Sequence, residues 1–391
     1  MANNRFGISK NVFILGLVSF FNDIASEMIY PIVPIFLTSV LGAPMAIVGL
    51  IEGIAESTAS ILKVFSGWLS DKAGKRKPFA VMGYSLSTFA KPLLFFANAW
   101  SLVLIARFVD RVGKGLRAPA RDALIADSAL EGAVGRSFGF HRAMDTAGAT
   151  VGPLLALLLI YIFNGNFRPI FLITIIPSTI GVLLLLFLVK EKMRNIVIHA
   201  EPVKLNIKQF SPQFKMFLLI SLVFAAGNSS DAFLILRSKD LGFTTFSVVL
   251  AYVVYNFFYS FLSLPFGHLS DKIGRKKVIT AGFLVFALVY FGFAFSNSPT
   301  PIWFLFAIYG FYMALTEGVG KAYICDTVAS DKRGTALGVY YTLTGMVTFF
   351  ASAVAGLLWN YWSVRAPFIY GCAMAVLACL LFITLKSTKK E

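Results

Sequence analysis

The chain contains at residues 67–77 the stretch Gly67-Trp68-Leu69-Ser70-Asp71-Lys72-Ala73-Gly74-Lys75-Arg76-Lys77. A near copy follows at residues 267–277, Gly267-His268-Leu269-Ser270-Asp271-Lys272-Ile273-Gly274-Arg275-Lys276-Lys277. Each copy follows one long apolar stretch and precedes another. A short basic turn that recurs about half a chain length later predicts two homologous halves, each crossing a membrane in the same way.

The composition supports a membrane location. The chain has 391 residues, of which 58% are hydrophobic and only 14% are charged, and its mean hydropathy is +0.77. A soluble protein of this composition would lack the polar groups to cover its surface. The net charge is +16, and most of the Lys and Arg residues that produce it lie in short turns between apolar stretches. That distribution indicates membrane orientation, and we expect no nucleic-acid partner.

Twelve stretches are long and apolar enough to span a bilayer as helices. We therefore predict an all-α integral membrane protein with 12 transmembrane helices in two pseudo-symmetric six-helix halves. The halves are predicted at 1–190 and 213–391, joined by a cytoplasmic linker at 191–212. The predicted spans are 11–39, 45–69, 78–98, 101–127, 137–163, 168–189, 213–236, 244–269, 278–297, 301–327, 334–361 and 364–385.

The Lys and Arg residues predict the orientation. Most lie at the termini, in the linker and in the even-numbered connections between spans. The odd-numbered connections contain only a few, namely Arg168, Arg237, Lys239 and Arg365. The positive-inside rule therefore puts both termini and the linker in the cytoplasm of a plasma membrane, the inner membrane of a prokaryote.

The repeated turn resembles the signature of the major facilitator superfamily, Gly-x-Leu-x-Asp-x-x-Gly followed by three basic residues. Ala106-Arg107-Phe108 in span 4 resembles the basic motif of that family. Gly148-x-x-x-Gly152-Pro153 in span 5 resembles the motif associated with its proton-coupled antiporters. The resemblance covers essentially the whole chain. It implies alternating access by rocking of two six-helix halves, with protons as the coupling ion.

Acidic residues within the spans are the predicted proton-coupling groups. An ionisable group at the bilayer centre costs at least about 2.5–3.5 kcal/mol on insertion scales, so it needs a partner or a wet cavity. Span 1 contains Asp23 and Glu27, and span 2 contains Glu52 and Glu56 at the same spacing of four, which puts each pair on one helical face. Static pairing with basic residues of spans 4 and 5 is the alternative. Arg107 joins this set because it resembles the motif arginine of the family.

A second set of polar residues within the spans is predicted to bind substrate. Span 4 presents a basic stripe whose guanidinium groups suit carboxylate or phosphate. Tyrosines at spacings of three and four in span 8 suit a solute with ring or polar character. The predicted substrate ligands are Asn22, Arg111, Lys114, Arg117, Asp145, Asn228, Asp231, Tyr255, Asn256, Tyr259, Glu317, Lys321 and Tyr340.

The basic turns are predicted to gate the transporter. Their aspartates lie near helix ends, where they can accept hydrogen bonds from backbone N–H groups and from the Arg and Lys that follow. We expect them to clamp one half to the other in the outward-facing state. The predicted gating residues are Gly67, Asp71, Arg76, Asp127, Gly267, Asp271 and Arg275.

Together these features predict a secondary transporter for a small polar solute, zwitterionic or anionic, that works as a proton-coupled exporter. An uptake symporter and a multidrug exporter are the alternatives. A membrane-embedded enzyme is disfavoured because His141, His199 and His268 are few and scattered. We expect a monomer in the lipid bilayer with a small-molecule substrate, no metal and no cofactor other than protons. The absence of a P-loop sequence argues against direct drive by ATP.

Overall fold

The computed structural model describes residues 8–131, 133–191, 210–328 and 333–384, and it leaves out the side chains of Asp71, Val134 and Gly135. Most of the predicted linker, residues 192–209, lies outside this part of the chain. The described residues form fifteen α-helices and no strand. These helices are α1 Lys10–Ile29, α2 Ile32–Ile35, α3 Met45–Ala73, α4 Lys77–Phe95, α5 Trp100–Ser128, α6 Val134–Ile162, α7 Arg168–Ile173, α8 Ile175–Leu188, α9 Pro212–Gly227, α10 Ala232–Asp240, α11 Thr245–Ile273, α12 Arg275–Phe295, α13 Thr300–Thr327, α14 Arg333–Tyr361 and α15 Ala366–Thr384.

All twelve predicted spans are helical, but three of them are interrupted. Span 1 breaks between α1 and α2 at Pro31 and ends in a π-helical turn, Phe36–Val40. Span 6 divides at Thr174, and span 7 divides at residues 228–231. The sequence analysis predicted the spans but not these interruptions. Proline lacks the backbone N–H, and Asn, Ser and Asp offer the backbone competing hydrogen bonds, so these residues interrupt helices.

Among the described residues, ten helical segments are long and apolar enough to cross a membrane. The two remaining predicted spans correspond to α4 and α5, which are 19 and 29 residues long. The helix α5 has the length to span a bilayer, but its many Arg, Lys and Asp residues lower its hydropathy. A helix this polar must bury its charges inside protein, which makes α5 a candidate for the functional site.

The chain divides into two compact units. The first unit extends to Leu41 and resumes at Thr58, and the second contains Gly42–Ser57 together with the helices from Pro212 onward. The long helix α3 therefore belongs to the second unit at its start and to the first at its end. The linker between the halves, predicted at 191–212, remains a prediction. The division within α3 was not predicted.

In the first unit, close backbone contacts fix the pairing of helices. A Cβ atom placed on Gly83 of α4 would lie 2.6 Å from the carbonyl oxygen of Gly113 on α5. Only glycine allows two helices to approach so closely. A hydrophobic cluster lies on the side of this crossing that is nearer to the basic turn, and it includes Leu15, Val18 and Leu124. The crossing and the cluster make α1, α4, α5 and α8 one packed bundle.

In the second unit, aromatic rings fill the interior. The rings of Phe286 and Tyr290 stack with centroids 4.0 Å apart, and Phe224 stacks on Phe283 at 4.3 Å. Offset aromatic pairs of this kind contribute beyond the area they bury. The core of α9, α12 and α13 therefore consists largely of ring contacts.

Two of the basic residues in odd-numbered connections cap helix ends. The guanidinium of Arg168 donates to the carbonyl oxygens of Phe95 and Ala97, at 2.7 and 2.9 Å, where α4 ends. Arg237 donates to the carbonyl of Ser296 at 2.8 Å, just after α12. The last carbonyls of a helix lack intrahelical partners, and a cation there also favours the helix dipole. These contacts explain why two arginines occur in the odd-numbered connections, which are otherwise poor in basic residues.

Candidate functional site

The basic row on α5 is buried in the first unit. Arg107, Arg111 and Arg117 are each 5% exposed. The guanidinium of Arg107 lies 5.7 Å from the centre of the Tyr30 ring, a cation–π distance. Lys114, one turn from Arg111, is half-buried. Three guanidinium groups within one helix, all removed from bulk solvent, provide strong sites for an anionic group.

The predicted proton-coupling residues of span 1 lie against the glycine motif of span 5. A Cβ atom on Gly148 of α6 would lie 3.0 Å from Cβ of Asp23, and one on Gly152 would lie 3.0 Å from Cβ of Glu27. The two glycines are one turn apart, as are the two carboxylates. Larger residues in α6 would therefore displace α1 at both acidic positions.

A third carboxylate, Asp145, belongs to a small polar cluster between α1, α5 and α6. Ser19 hydrogen-bonds to Asp145, and Arg121 donates to Ser19 Oγ at 3.3 Å. His141 Nε2 lies 3.7 Å from Asp145 Oδ1. Ser19 of α1 thus connects Asp145 of α6 to Arg121 of α5. A change of charge at Asp145 therefore alters hydrogen bonds made by α1 and α5.

In the second unit, the interruption of span 7 is lined by buried polar groups. Ser230 donates from Oγ to Glu52 Oε2 at 3.2 Å and from its backbone N–H to Ser352 Oγ at 3.1 Å. Its hydroxyl also accepts from the backbone N–H of Ala232 at 3.3 Å, near the start of α10. Non-helical backbone at membrane depth is tolerated where side chains satisfy it, and in transporters such breaks are typical of binding sites.

Two predicted substrate residues next to this break are bonded to tyrosines of α13. The hydroxyl of Tyr309 donates to Asp231 Oδ1 at 2.7 Å, and Asn228 Nδ2 donates to Tyr312 at 3.1 Å. Tyr309 in turn lies 5.2 Å, ring to ring, from Tyr255 of α11. Sequence spacing identified Asp231, Asn228 and Tyr255, whereas the two tyrosines of α13 were not predicted.

The same surface continues to a carboxylate–lysine pair on α13. Glu317 accepts from the hydroxyl of Tyr259 and from Lys321 Nζ, the latter at 3.1 Å. The side chains of Lys321 and Glu317 are 44% and 36% exposed. The ring of Tyr259 lies parallel to that of Tyr255 at 6.3 Å. This part of the second unit therefore presents an acid, a base and aromatic faces together.

The two remaining predicted substrate residues of this unit make other hydrogen bonds. Asn256 Nδ2 donates to the carbonyl of Tyr252 on its own helix, at 3.1 Å. Tyr340 stacks on Phe217, with ring centres 6.2 Å apart, and hydrogen-bonds to Ser221. The structure thus brings most of the predicted residues of the second unit together, whereas the Asn256 side chain bonds to its own helix.

The two basic turns use the same contacts with different residues. Arg76 Nη1 donates to Ser70 Oγ at 2.9 Å, and Arg275 Nη1 donates to Ser270 Oγ at 2.5 Å. Alignment of the copies pairs Arg76 with Lys276, so the guanidinium acts one position earlier in the second turn. The reason is local: α4 begins three residues after Gly74, whereas α12 begins directly after Gly274.

The second turn also contains an ion-pair network. Arg275 bridges Asp271, at 2.5 Å, and Asp326 at the end of α13, at 3.3 Å. Asp326 was not predicted, although its place in span 10 corresponds to that of the predicted Asp127 in span 4. The side chain of Asp71, the equivalent of Asp271, lies outside the described residues.

The first glycines of the two turns, Gly67 and Gly267, have different surroundings. A Cβ atom on Gly67 would lie 3.4 Å from Cβ of Pro119, whereas one on Gly267 would have no neighbour within 4 Å. A Cβ atom at position 67 would therefore only touch Pro119 at an ordinary contact distance, so helix packing requires a glycine at neither position. The described residues contain no group of three His, Cys, Asp or Glu side chains arranged to hold a metal ion.

A family model matches residues 15–253 and 216–391, and its description is the Major Facilitator Superfamily. The chain belongs to this superfamily. An uncharacterized MFS-type transporter of Methanocaldococcus jannaschii is 41% identical over 96% of this chain and 95% of that protein. The family identifies the chain as a multi-pass membrane protein and a secondary transporter, as predicted, and confirms the fold class.

Two other similarities concern proteins with described ligands. The cis,cis-muconate transport protein of Acinetobacter baylyi is 24% identical, with coverage of 82% of this transporter and 80% of that protein. The crystal structure of a POT family transporter in complex with 5-aminolevulinic acid superposes with a TM-score of 0.82 at 13% identity. It covers 97% of this chain and 96% of the other, and at that identity it shows the fold alone.

Proposed function

We propose that this transporter exports a small polar solute, zwitterionic or anionic, in exchange for protons. The observation that carries the proposal is the buried arginine row of α5, with Arg107, Arg111 and Arg117 each 5% exposed. Guanidinium groups bind a carboxylate or phosphate in bidentate form, so a solute that carries such a group suits this row.

The second unit supports the choice of solute. Lys321 and Glu317 are partly exposed and carry opposite charges, and tyrosine rings lie beside them. A zwitterion or an unsaturated acid matches these groups better than a lipophilic cation. The name of one similar protein, the cis,cis-muconate transport protein, agrees with this.

Coupling to protons is supported by Asp23 and Glu27, which lie at the glycine motif of α6. Carboxylates at membrane depth exchange protons when their hydration changes, as it does during alternating access. The antiporter-like motif Gly148-x-x-x-Gly152-Pro153 favours export over uptake. We also propose a plasma-membrane location with both termini in the cytoplasm, from the distribution of Lys and Arg, and a monomer as the working state.

A melting experiment on purified protein tests the solute class. A ligand that binds the folded state stabilises it by mass action and so raises the melting temperature. At a ligand concentration of a hundred times the Kd, the free energy of unfolding rises by about 2.7 kcal/mol. The probes are cis,cis-muconate, 5-aminolevulinic acid and tetraphenylphosphonium. We expect the two acids to raise the melting temperature. A response to tetraphenylphosphonium alone would contradict the proposal and favour a multidrug exporter.

Transport into proteoliposomes tests the coupling. For an antiporter, an acidic lumen should drive accumulation of the acid that binds, because protons leave as the solute enters. An alkaline lumen should drive a symporter instead. Accumulation under neither gradient would refute proton coupling.

A further inference from the structure

A layer of polar side chains is enclosed between α1, α4, α5 and α8 of the first unit. Its members share hydrogen bonds or close contacts, and all but Thr88 are buried. They are Tyr84, Ser87, Thr88, Lys91, Arg117 and Ser178. We call this set the polar layer. It lies next to the hydrophobic cluster of the unit, to which Tyr84 also belongs. Asn22 of α1 is also buried, and its backbone nitrogen lies 3.8 Å from a Cβ atom placed on Gly181 of α8.

Lys91 is the member that sequence reasoning missed. It is 1% exposed, and its ammonium group donates to the carbonyl of Ser87 at 3.0 Å and to Ser178 Oγ at 3.1 Å. The hydroxyl of Thr88 lies 2.7 Å from the same Ser178 oxygen. Both oxygens that Lys91 binds are uncharged, and within the described ranges no carboxylate forms an ion pair with it. A lysine buried at membrane depth in this way is a functional candidate by default.

A second cation reaches the same serine. Arg117 Nη1 donates to Ser87 Oγ at 2.6 Å, and its guanidinium lies 4.8 Å from the centre of the Tyr84 ring. An arginine in a protein keeps its proton, whereas a buried lysine can release one. Any proton given up by these two neighbouring cations therefore comes from Lys91.

Two buried side chains, Tyr84 of the polar layer and Asn22 of α1, have unused hydrogen-bonding capacity. Among the described residues, neither amide atom of Asn22 has a partner, and neither has the hydroxyl of Tyr84. Asn22 is only 1% exposed. Buried polar atoms in native proteins are almost always bonded to protein or to ordered water. Asn22 and Tyr84 are thus suited to hold water inside the bundle, and Asn22 precedes Asp23 in α1.

We propose that Lys91 is a further proton-exchanging residue, linked to Asp23 by water bound to Asn22 and Tyr84. In this step an N–H bond of the Lys91 ammonium breaks as a water molecule takes the proton, and that water passes a proton to the Asp23 carboxylate. The products are a neutral amine and a neutral carboxylic acid. The transport role of this step rests on the proposed function, but the proton exchange itself does not.

The charged groups facing Lys91 are few. Asp110 and Arg117 on α5 and Asp23 on α1 act on its charge. Arg168, at the start of α7, bonds to the carbonyls at the end of α4. The helix α8 contributes no titratable group, only the hydroxyl of Ser178. The exchange is therefore governed by two carboxylates and one arginine in the first unit.

Nitrogen-15 NMR of protein labelled at lysine Nζ tests the exchange without a solute. The Lys91 signal is the one that disappears in Lys91→Met, and Ser178→Ala should shift it, which assigns it even if the first variant folds poorly. We expect this signal to change from ammonium to amine at a lower pH than the signals of the exposed lysines do. A Lys91 signal that stays that of ammonium until the exposed lysines titrate would overturn the proposal.

Proteoliposomes test the role in transport. We expect Lys91→Arg, which keeps the charge but not the exchangeable proton, to reduce pH-driven accumulation of the bound acid to background while solute exchange without a gradient persists. Lys239→Arg, at a lysine that donates to Thr245 in the second unit, is the matched control. Normal accumulation by Lys91→Arg would reduce Lys91 to a fixed cation. If the wild type itself shows no pH-driven accumulation, the proposed function fails instead.

Discussion

The predicted proton-coupling carboxylates of the first unit lie beside glycines. Asp23 and Glu27 lie beside Gly148 and Gly152, whose missing side chains let α6 press against α1. The carboxylates are therefore held at a helix contact whose width the glycines set. A proton that binds here changes the charge at the point where two helices meet.

Removal of the charge from these two carboxylates should uncouple transport. We expect Asp23→Asn and Glu27→Gln to abolish pH-driven accumulation while binding of the acid persists, because each amide mimics a protonated carboxyl. Proteoliposome uptake and thermal shift measure the two properties. Glu131→Gln, at an exposed position, is the control and should behave as wild type. If both variants still concentrate the solute, the coupling site lies elsewhere, with Asp145 and Glu317 as the next candidates.

At the level of helices, the α4–α5 pair is the most constrained contact in the first unit. A Cβ atom on Gly83 would lie 2.6 Å from the Gly113 carbonyl oxygen and 2.7 Å from the backbone nitrogen of Arg117. Both obstacles are backbone atoms, which cannot move aside alone. The crossing therefore fixes the height of the arginine row of α5 relative to Lys91 on α4.

A methyl group at this crossing should separate the helices. We expect Gly83→Ala to lower stability by about 1–3 kcal/mol, the range typical of overpacking, and to slow transport. The melting temperature of purified protein measures the first effect. Gly139→Ala is the matched control, because a Cβ atom on that helical glycine meets nothing within 4 Å. Equal melting temperatures for the two variants would show that α4 and α5 can separate without cost.

At the level of the whole molecule, the two basic turns have similar sequences but form their hydrogen bonds with different residues. The guanidinium that binds the turn serine comes from Arg76 in one unit and from Arg275 in the other. In the second unit that arginine also joins Asp271 to Asp326 at the end of α13. A network of this kind at helix ends is suited to open and re-form during transport.

Loss of the turn aspartate should slow the transport cycle while leaving the protein folded. We expect Asp271→Asn and Asp71→Ala to reduce the rate of uptake into proteoliposomes with little change in melting temperature, because exposed ion pairs contribute roughly 0–1 kcal/mol. Asp240→Asn tests an aspartate that pairs with Arg237 away from the turns. Wild-type rates for both turn variants would exclude a gating role.

The sequence by itself determined the fold class, the twelve spans and the superfamily. Hydrocarbon forces each spanning segment to satisfy its own backbone, so apolar length identifies most of the helices, and α4 and α5 are the exceptions among the described residues. The repeated turns are visible in the letters, and helical spacing put Asp23 with Glu27 and Tyr255 with Tyr259. These features depend on residues close together in the chain, and a sequence displays such residues directly.

Only the tertiary structure decided which neighbour each polar group meets. The lysine at position 91 could have been noticed as a lone charge in an apolar span, but its burial with Ser178 depends on how α4 and α8 pack. The break in span 7 is compatible with its Asn and Ser residues, yet it is held by Glu52 and Ser352 from distant segments. Sequence spacing fixes the face on which a side chain lies, whereas the partner on that face depends on helix crossings set by backbone contacts between residues far apart in the chain.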